Sequence, residues 1–94
     1  MKVTVRLIGA PRVALGFKER ELVIADGATV ADLVSILVSV LAEEVGPKAR
    51  TYLLGPGGQG YSVVFLVEGA SARPESPLAD GNVVIIMPQT AGGA

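Results

Sequence analysis

The segment NVVIIMPQTAGGA (residues 82–94) decides how this chain can fold, because it joins a strongly apolar run to a thin polar end. Five consecutive apolar residues at 83–87 predict a strand buried on both faces, and such a strand lies in the middle of a sheet. Pro88 ends that strand, since proline cannot donate a ladder hydrogen bond. The remaining QTAGGA has no large apolar side chain, so we expect a body of residues 1–88 and a flexible tail of residues 89–94.

Three more strands are predicted from the residue pattern. KVTVRLIG (2–9) alternates, and RELVIADG (20–27) places Leu22 and Ile24 on one face. YSVVFLVEG (61–69) has a continuous apolar run, which predicts burial on both faces. The intervening segments are predicted as a turn region at 10–18, a short edge strand at 50–54, a loop at 55–60, and an ordered connection at 70–81 with one helical turn near 77–80.

One main helix is predicted over residues 28–46. Its apolar positions recur at i, i+3, i+4 and i+7, which gives one buried stripe. Thr29 is the expected N-cap, and Asp32 completes a capping box. Gly46-Pro47 is a stop signal.

The element order is therefore β-β-α-β-β. A central last strand beside the first strand, with one helix on one face, predicts an α+β protein with the β-grasp fold of ubiquitin. The sheet is expected to be mixed and to have four or five strands. An α+β sandwich with another connectivity is the alternative.

Composition excludes several classes of function. The chain has 94 residues, so it forms one domain, and its net charge is −1 with no cluster of basic residues. Nucleic-acid binding is therefore not expected. The sequence contains neither Cys nor His, which removes a cysteine nucleophile, a thiolate metal site, the commonest general base and the commonest transition-metal ligand. The longest apolar stretch is too short and interrupted for a membrane span, and no signal peptide is evident, so we expect a cytoplasmic protein that is not itself an enzyme.

Two other features of the sequence do not predict a catalytic or cofactor-binding site. GPGGQG (55–60) fits the glycine spacing of a dinucleotide-binding loop, but a strand rather than a helix follows it, so a hairpin loop is the better interpretation. The carboxylates could supply an acid–base pair only inside a cleft, and no pattern brings two of them together. Solvated surface is the simpler explanation for all of them.

The apolar excess has two explanations. A sheet with one helix leaves its other face open, and an exposed apolar face often marks a protein interface; alternatively, loops cover it. The residues predicted for such an interface are Ile8, Val23, Phe65, Met87 and Pro88.

The ordered set of these features resembles the MoaD/ThiS-type sulfur carriers, which are β-grasp relatives of ubiquitin. SPLADGNVVIIMPQTAGG (76–93) is similar to the family pattern of a Pro-Leu-x-Asp-Gly turn, an apolar last strand, a proline and a terminal Gly-Gly. VVFLVEG (63–69) and KVTVRLIGAPRVALG (2–16) resemble earlier family segments. The small subunit of molybdopterin synthase is the closer match within the family.

The resemblance implies a carrier that binds no cofactor. A ubiquitin-activating-like enzyme would use ATP and Mg²⁺ to adenylate the C-terminal glycine, and sulfur would replace the adenylate to give a thiocarboxylate. The large subunit of molybdopterin synthase, or another acceptor enzyme, would then take the sulfur. On this basis Gly93 is the acyl carrier and Gly92 its slim neighbour, while Gln89, Thr90 and Ala91 line the channel of the partner.

Ala94 departs from the pattern, because Gly93 then lies inside a peptide bond. A processing protease removes Ala94, or the extra residue is tolerated, or the protein is a non-covalent binding module. We favour removal. Conjugation of Gly93 to target lysines, as by a ubiquitin-like modifier, is a further alternative that the sequence does not distinguish from sulfur transfer.

Overall fold

The computed structural model describes residues 1–54 and 63–88, which form five strands and three helices. No helix in these two ranges is long and apolar enough to cross a membrane. The elements, in chain order, are β1 (Lys2–Leu7), α1 (Ala10–Leu15), β2 (Glu19–Val23), α2 (Val30–Val45), α3 (Lys48–Leu54), β3 (Val63–Val67), β4 (Ala70–Ala72) and β5 (Val83–Pro88).

The five strands make one mixed sheet in the order β2-β1-β5-β3-β4. β5 lies in the middle, parallel to β1 and antiparallel to β3. The position of β5 confirms the prediction made from the apolar run at 83–87, and the topology is that of a β-grasp fold. Because β1 and β5 are parallel, both end at the same edge of the domain, where Pro88 is the last residue of β5. We call this edge the tail end.

Helix α2 covers one face of the sheet and begins as the sequence predicts. The Thr29 hydroxyl accepts a hydrogen bond from the Asp32 amide, and the Asp32 carboxylate accepts one from the Thr29 amide, so the capping box is complete. Gly46, with φ of 75°, ends the helix. Buried side chains of α2 pack on Val5, Ile86 and their neighbours in β1 and β5 to form a single core.

Three segments differ from the sequence prediction. Residues 10–18 were expected to form a turn region, yet residues 10–15 form α1, whose first turn tolerates Pro11 because that amide needs no helical partner. Residues 50–54 were expected to form an edge strand, yet they belong to α3, in which Ala49 and Leu53 lie on one face and are both buried.

The connection at 70–81 also differs. It begins with the short edge strand β4, which the sequence analysis missed, and it contains no helical turn at 77–80. Pro77 instead forms an isolated antiparallel bridge with Thr29, and the amide of Leu78 donates to the carbonyl of Ala28. The connection is thereby fixed to the start of α2. The predicted loop at 55–60 lies outside the described residues.

Candidate functional site

The outlet of the C-terminal segment is the first part of the site. β5 pairs with β1 as far as Ile86, and with β3 as far as its end at Pro88. Its neighbour β1 leads into Gly9, which adopts φ of 74°. A Cβ at Gly9 would lie 3.0 Å from Cγ of Pro88, so the chain after β1 packs closely on the point where β5 ends. Pro88, the last described residue, is therefore held both by its pairing with β3 and by its close contact with Gly9.

A groove of about 300 Å³ lies beside this outlet on the side of the sheet that carries the helices. α1 and α3 form its walls, and Pro88 and Val63 come from the ends of the two central strands. Most of its lining is apolar. The described residues that line it are Ala10, Pro11, Thr51, Tyr52, Val63 and Pro88.

The opposite side of the sheet, which we call the open face, carries none of the three helices that residues 1–54 and 63–88 form. The register places Val64 opposite Met87 and Leu66 opposite Ile85, so these four side chains share the open face. All four are only half-buried, in contrast with Ile86, which is fully buried against the helices. The expectation that β3 and β5 are buried on both faces is therefore wrong for the described residues. Together with Ile8, which is 42% exposed at the end of β1, these side chains form an apolar patch.

The interface residues predicted from sequence divide between the two sides. Ile8 and Met87 lie in the apolar patch, and Val23 is 77% exposed on the same open face at the far end of β2. The prediction that Phe65 belongs to the interface is wrong. Its side chain is only 3% exposed and faces the helices, opposite Ile86, so it cannot contact a partner on the open face. Pro88 pairs with the buried Val63 and lines the groove on the helical side.

Two ion pairs involve the neighbouring strands β1 and β2. Arg6 binds Glu19 across β1 and β2, with Nη2 3.0 Å from Oε1. Arg20 makes two hydrogen bonds to the Glu44 carboxylate, of 3.0 and 2.8 Å, and its guanidinium lies 4.7 Å from the ring centre of Phe17. The hydrogen bonds from Arg20 lower the pKa of Glu44 below its ordinary value and raise that of Arg20. These two hydrogen bonds link β2 to the end of α2.

The predicted carrier and channel residues Gln89, Thr90, Ala91, Gly92 and Gly93 lie outside the described residues, as does Ala94. What the structure adds is the surroundings of their attachment point. Sequence reasoning missed the groove because it missed the helices that form its walls. The signal available was weak: Pro11 and Leu15 are spaced i, i+4, as are Ala49 and Leu53.

A β-grasp domain whose central strand ends at an outlet for a short C-terminal segment defines the class of ubiquitin-like sulfur carriers and protein modifiers. Within that class, the chain belongs to the ThiS family, whose model matches residues 5–93. Members of this class are small carriers or modifiers rather than enzymes, and they work with activating enzymes related to the ubiquitin E1 and with sulfur-acceptor enzymes.

Solved structures share this fold. Small archaeal modifier protein 1 of Haloferax volcanii is 21% identical, with a TM-score of 0.80 over 99% of this chain and 100% of that one. A Pyrococcus furiosus protein, provisionally assigned as molybdopterin converting factor subunit 1, is 27% identical, with a TM-score of 0.71 over 94% and 97%. Urm1 of Trypanosoma brucei is 18% identical, with a TM-score of 0.64 over 93% and 90%. A search of curated proteins gives no match.

Proposed function

We propose that this protein is a sulfur carrier whose C-terminal Gly93 is activated as an acyl-adenylate and then converted to a thiocarboxylate. The observation that carries the proposal is the outlet at Pro88, where the central strand ends and is followed in the sequence by a segment that contains Gly92, Gly93 and Ala94. Glycines can pass through a narrow channel because they have no side chain and accept a wide range of backbone angles.

The chemistry requires a free carboxylate on Gly93. A protease would first hydrolyse the Gly93–Ala94 amide and release alanine. The Gly93 carboxylate then attacks the α-phosphate of ATP, with Mg²⁺ supplied by the activating enzyme, and releases pyrophosphate. A sulfide equivalent from a partner attacks the acyl carbon and displaces AMP. These steps use the main-chain terminus, so they need neither Cys nor His from this chain. Because they consume ATP, we propose that they occur in the cytoplasm.

Molybdopterin-type cofactor synthesis is the proposed destination of the sulfur, with the large subunit of molybdopterin synthase as acceptor. Support comes from the likeness to the Pyrococcus furiosus protein, at 27% identity over nearly the whole of both chains. The apolar patch on the open face is the proposed surface that both the activating enzyme and the acceptor enzyme cover in turn.

Intact mass spectrometry tests the proposal. The full chain, a variant ending at Gly93, and a variant with Gly93→Ala that also ends at residue 93 are incubated with the adenylating enzyme of the same organism, ATP, Mg²⁺ and a sulfur donor. We expect the Gly93-ended chain to gain the mass that exchange of oxygen for sulfur gives. The full chain should gain it only after loss of Ala94. Failure of the Gly93-ended chain to react would contradict the proposal.

A protein modifier is the second candidate, because a solved structure with the same fold is that of an archaeal modifier protein. It predicts isopeptide-linked Gly-Gly remnants on cellular lysines, which a pure sulfur carrier does not leave. A non-covalent binding module predicts instead that deletion of residues 89–94 leaves function intact, whereas both covalent functions predict its loss.

A further inference from the structure

The two ends of the domain differ in their balance of charge: the tail end has more cations than carboxylates, although Glu19, Glu43 and Glu44 also lie there. At the tail end, Arg12 lies on α1, and Lys48 and Arg50 lie on α3. Lys18 is also at this end, because its carbonyl accepts a hydrogen bond from the amide of Leu7, the last residue of β1. The far end is acidic, because five carboxylates lie around the starts of β1, α2 and β5. These carboxylates belong to Asp26, Asp32, Glu68, Glu75 and Asp80.

The cations of the tail end are exposed and unpaired. Arg6, Arg20 and Arg73 have carboxylate partners, whereas Arg12, Lys18, Lys48 and Arg50 have none among residues 1–54 and 63–88. Residues 55–62 and 89–94 contain no Asp or Glu, so these segments add no acidic side chain. Charges that the fold itself leaves unpaired are available to neutralise carboxylates on another molecule.

Two of these cations lie one residue away from lining residues of the apolar groove. Arg12 directly follows Pro11 on α1, and Arg50 directly precedes Thr51 on α3. Arg12 itself lines a neighbouring depression together with Lys18. The groove also contains Pro88, from which the last six residues leave. Any protein that draws in the C-terminal segment must come close to this surface.

We propose that the groove and the cations of α1 and α3 form a second docking surface, separate from the open face, for a protein that presents carboxylates around an apolar side chain. This inference rests on the proposed function, because it identifies that protein as the activating enzyme. The apolar side chain fills the groove between Pro11 and Tyr52, and the carboxylates pair with Arg12 and Arg50. Opposite charges of this kind accelerate association and fix the orientation in which the C-terminus arrives.

The test is binding of the full chain to the purified adenylating enzyme of the same organism in the absence of ATP. Arg12→Glu and Arg50→Glu are compared with Arg73→Glu, which makes the same change of charge at the acidic end. All three side chains are exposed, so circular dichroism should show that each variant is folded. We expect the affinity to fall about ten-fold for Arg12→Glu and Arg50→Glu and less than about two-fold for Arg73→Glu. In about 0.5 M salt, screening of charge should make the affinities of the three variants nearly equal.

Equal affinities for the three variants would overturn the inference, as would a difference that appears only when ATP is present, because the cations would then contact nucleotide rather than protein. ATP–pyrophosphate exchange measured with the wild-type chain separates this failure from failure of the proposed function. Exchange with equal affinities overturns the docking surface alone. No exchange with the Gly93-ended wild-type chain overturns the proposed function and the docking surface with it.

Discussion

Gly9 and Pro88 are packed so closely that a Cβ on Gly9 would lie 3.0 Å from Cγ and 3.2 Å from Cδ of the proline ring. Gly9 also adopts φ of 74° and ψ of −141°, a combination that residues with a side chain rarely adopt. The end of β1 therefore depends on a glycine for two reasons, its backbone angles and its contact with the end of β5. This contact couples α1 to the residue from which the C-terminal segment leaves.

Gly9→Ala is expected to lower the free energy of unfolding by about 2–4 kcal/mol, because it adds backbone strain and a clash with Pro88. Gly16→Ala is the comparison. Gly16 has φ of 83°, but no atom lies within 4 Å of a Cβ placed there. The only expected cost is that of holding alanine in the left-handed conformation, about 1–2 kcal/mol. Urea unfolding measures both. Adding Pro88→Ala should relieve part of the Gly9→Ala cost, and strictly additive effects would show that the clash is not important.

The two faces of the sheet should respond differently to a charge. Ile85→Arg changes a half-buried residue of the apolar patch and should leave the chain folded while weakening binding to the activating enzyme by about ten-fold or more. Phe65→Arg buries a charge among the core residues and should prevent folding. Ser39→Arg, on the solvent side of α2, adds the same charge away from the patch. Equal binding by Ile85→Arg and Ser39→Arg would show that the open face is not an interface.

The ion pair between Arg20 and Glu44 predicts a pH dependence. The guanidinium hydrogen bonds hold the pKa of Glu44 below its ordinary value of 4.5, so the stabilisation is complete above that value. It is lost as the pH falls through the lowered pKa. Glu44→Gln should therefore be less stable than wild type at neutral pH, with the difference shrinking as the solution is acidified below 4.5.

Glu75→Gln is the control for this measurement. The Arg73–Glu75 pair is looser, with 3.6 Å between its nearest nitrogen and oxygen, and both side chains are largely exposed. We expect that substitution to leave the urea midpoint nearly unchanged at each pH. A difference between wild type and Glu44→Gln that stays constant from neutral to acidic pH would contradict the assignment to charge pairing.

Glu68 is expected to stabilise the hairpin between β3 and β4. Glu68 and Gly69 both have positive φ, of 51° and 83°, as a two-residue type I′ turn requires. The Glu68 carboxylate also accepts a hydrogen bond from the Val83 amide. Glu68→Ala should cost about 1–3 kcal/mol in urea unfolding, because it loses that bond and keeps an unfavourable φ. Glu68→Asn should cost less, since Asn tolerates the turn; an Asn variant as unstable as the Ala variant would contradict this explanation.

The sequence predicted the elements whose periodicity is long enough to be recognised. Helix α2 shows its apolar stripe over 16 residues and carries its capping box in Thr29 and Asp32. The apolar run at 83–87 predicted the central place of β5, which the sheet order confirms. These features depend on local chemistry and on the length of a periodic or apolar run, so they can be recognised without a structure.

The features that the sequence did not predict depend on long-range pairing. α1 and α3 have six and seven residues, so each shows only one i, i+4 pair of buried residues, Pro11 with Leu15 and Ala49 with Leu53. A proline or a cluster such as YLL then favours another interpretation. The run VVFLV does not show which residues face the helices. That is decided by the register with β5, where Phe65 meets Ile86 and Leu66 meets Ile85. Phe65 was therefore assigned to the wrong face.

The central position of β5 has a mechanical consequence. A pull on the C-terminus is applied along β5, which is held by hydrogen bonds to β1 on one side and to β3 on the other. Tension therefore loads both ladders together in shear, rather than opening them one bond at a time. The domain can therefore remain folded while an enzyme or a protease pulls on the C-terminal segment.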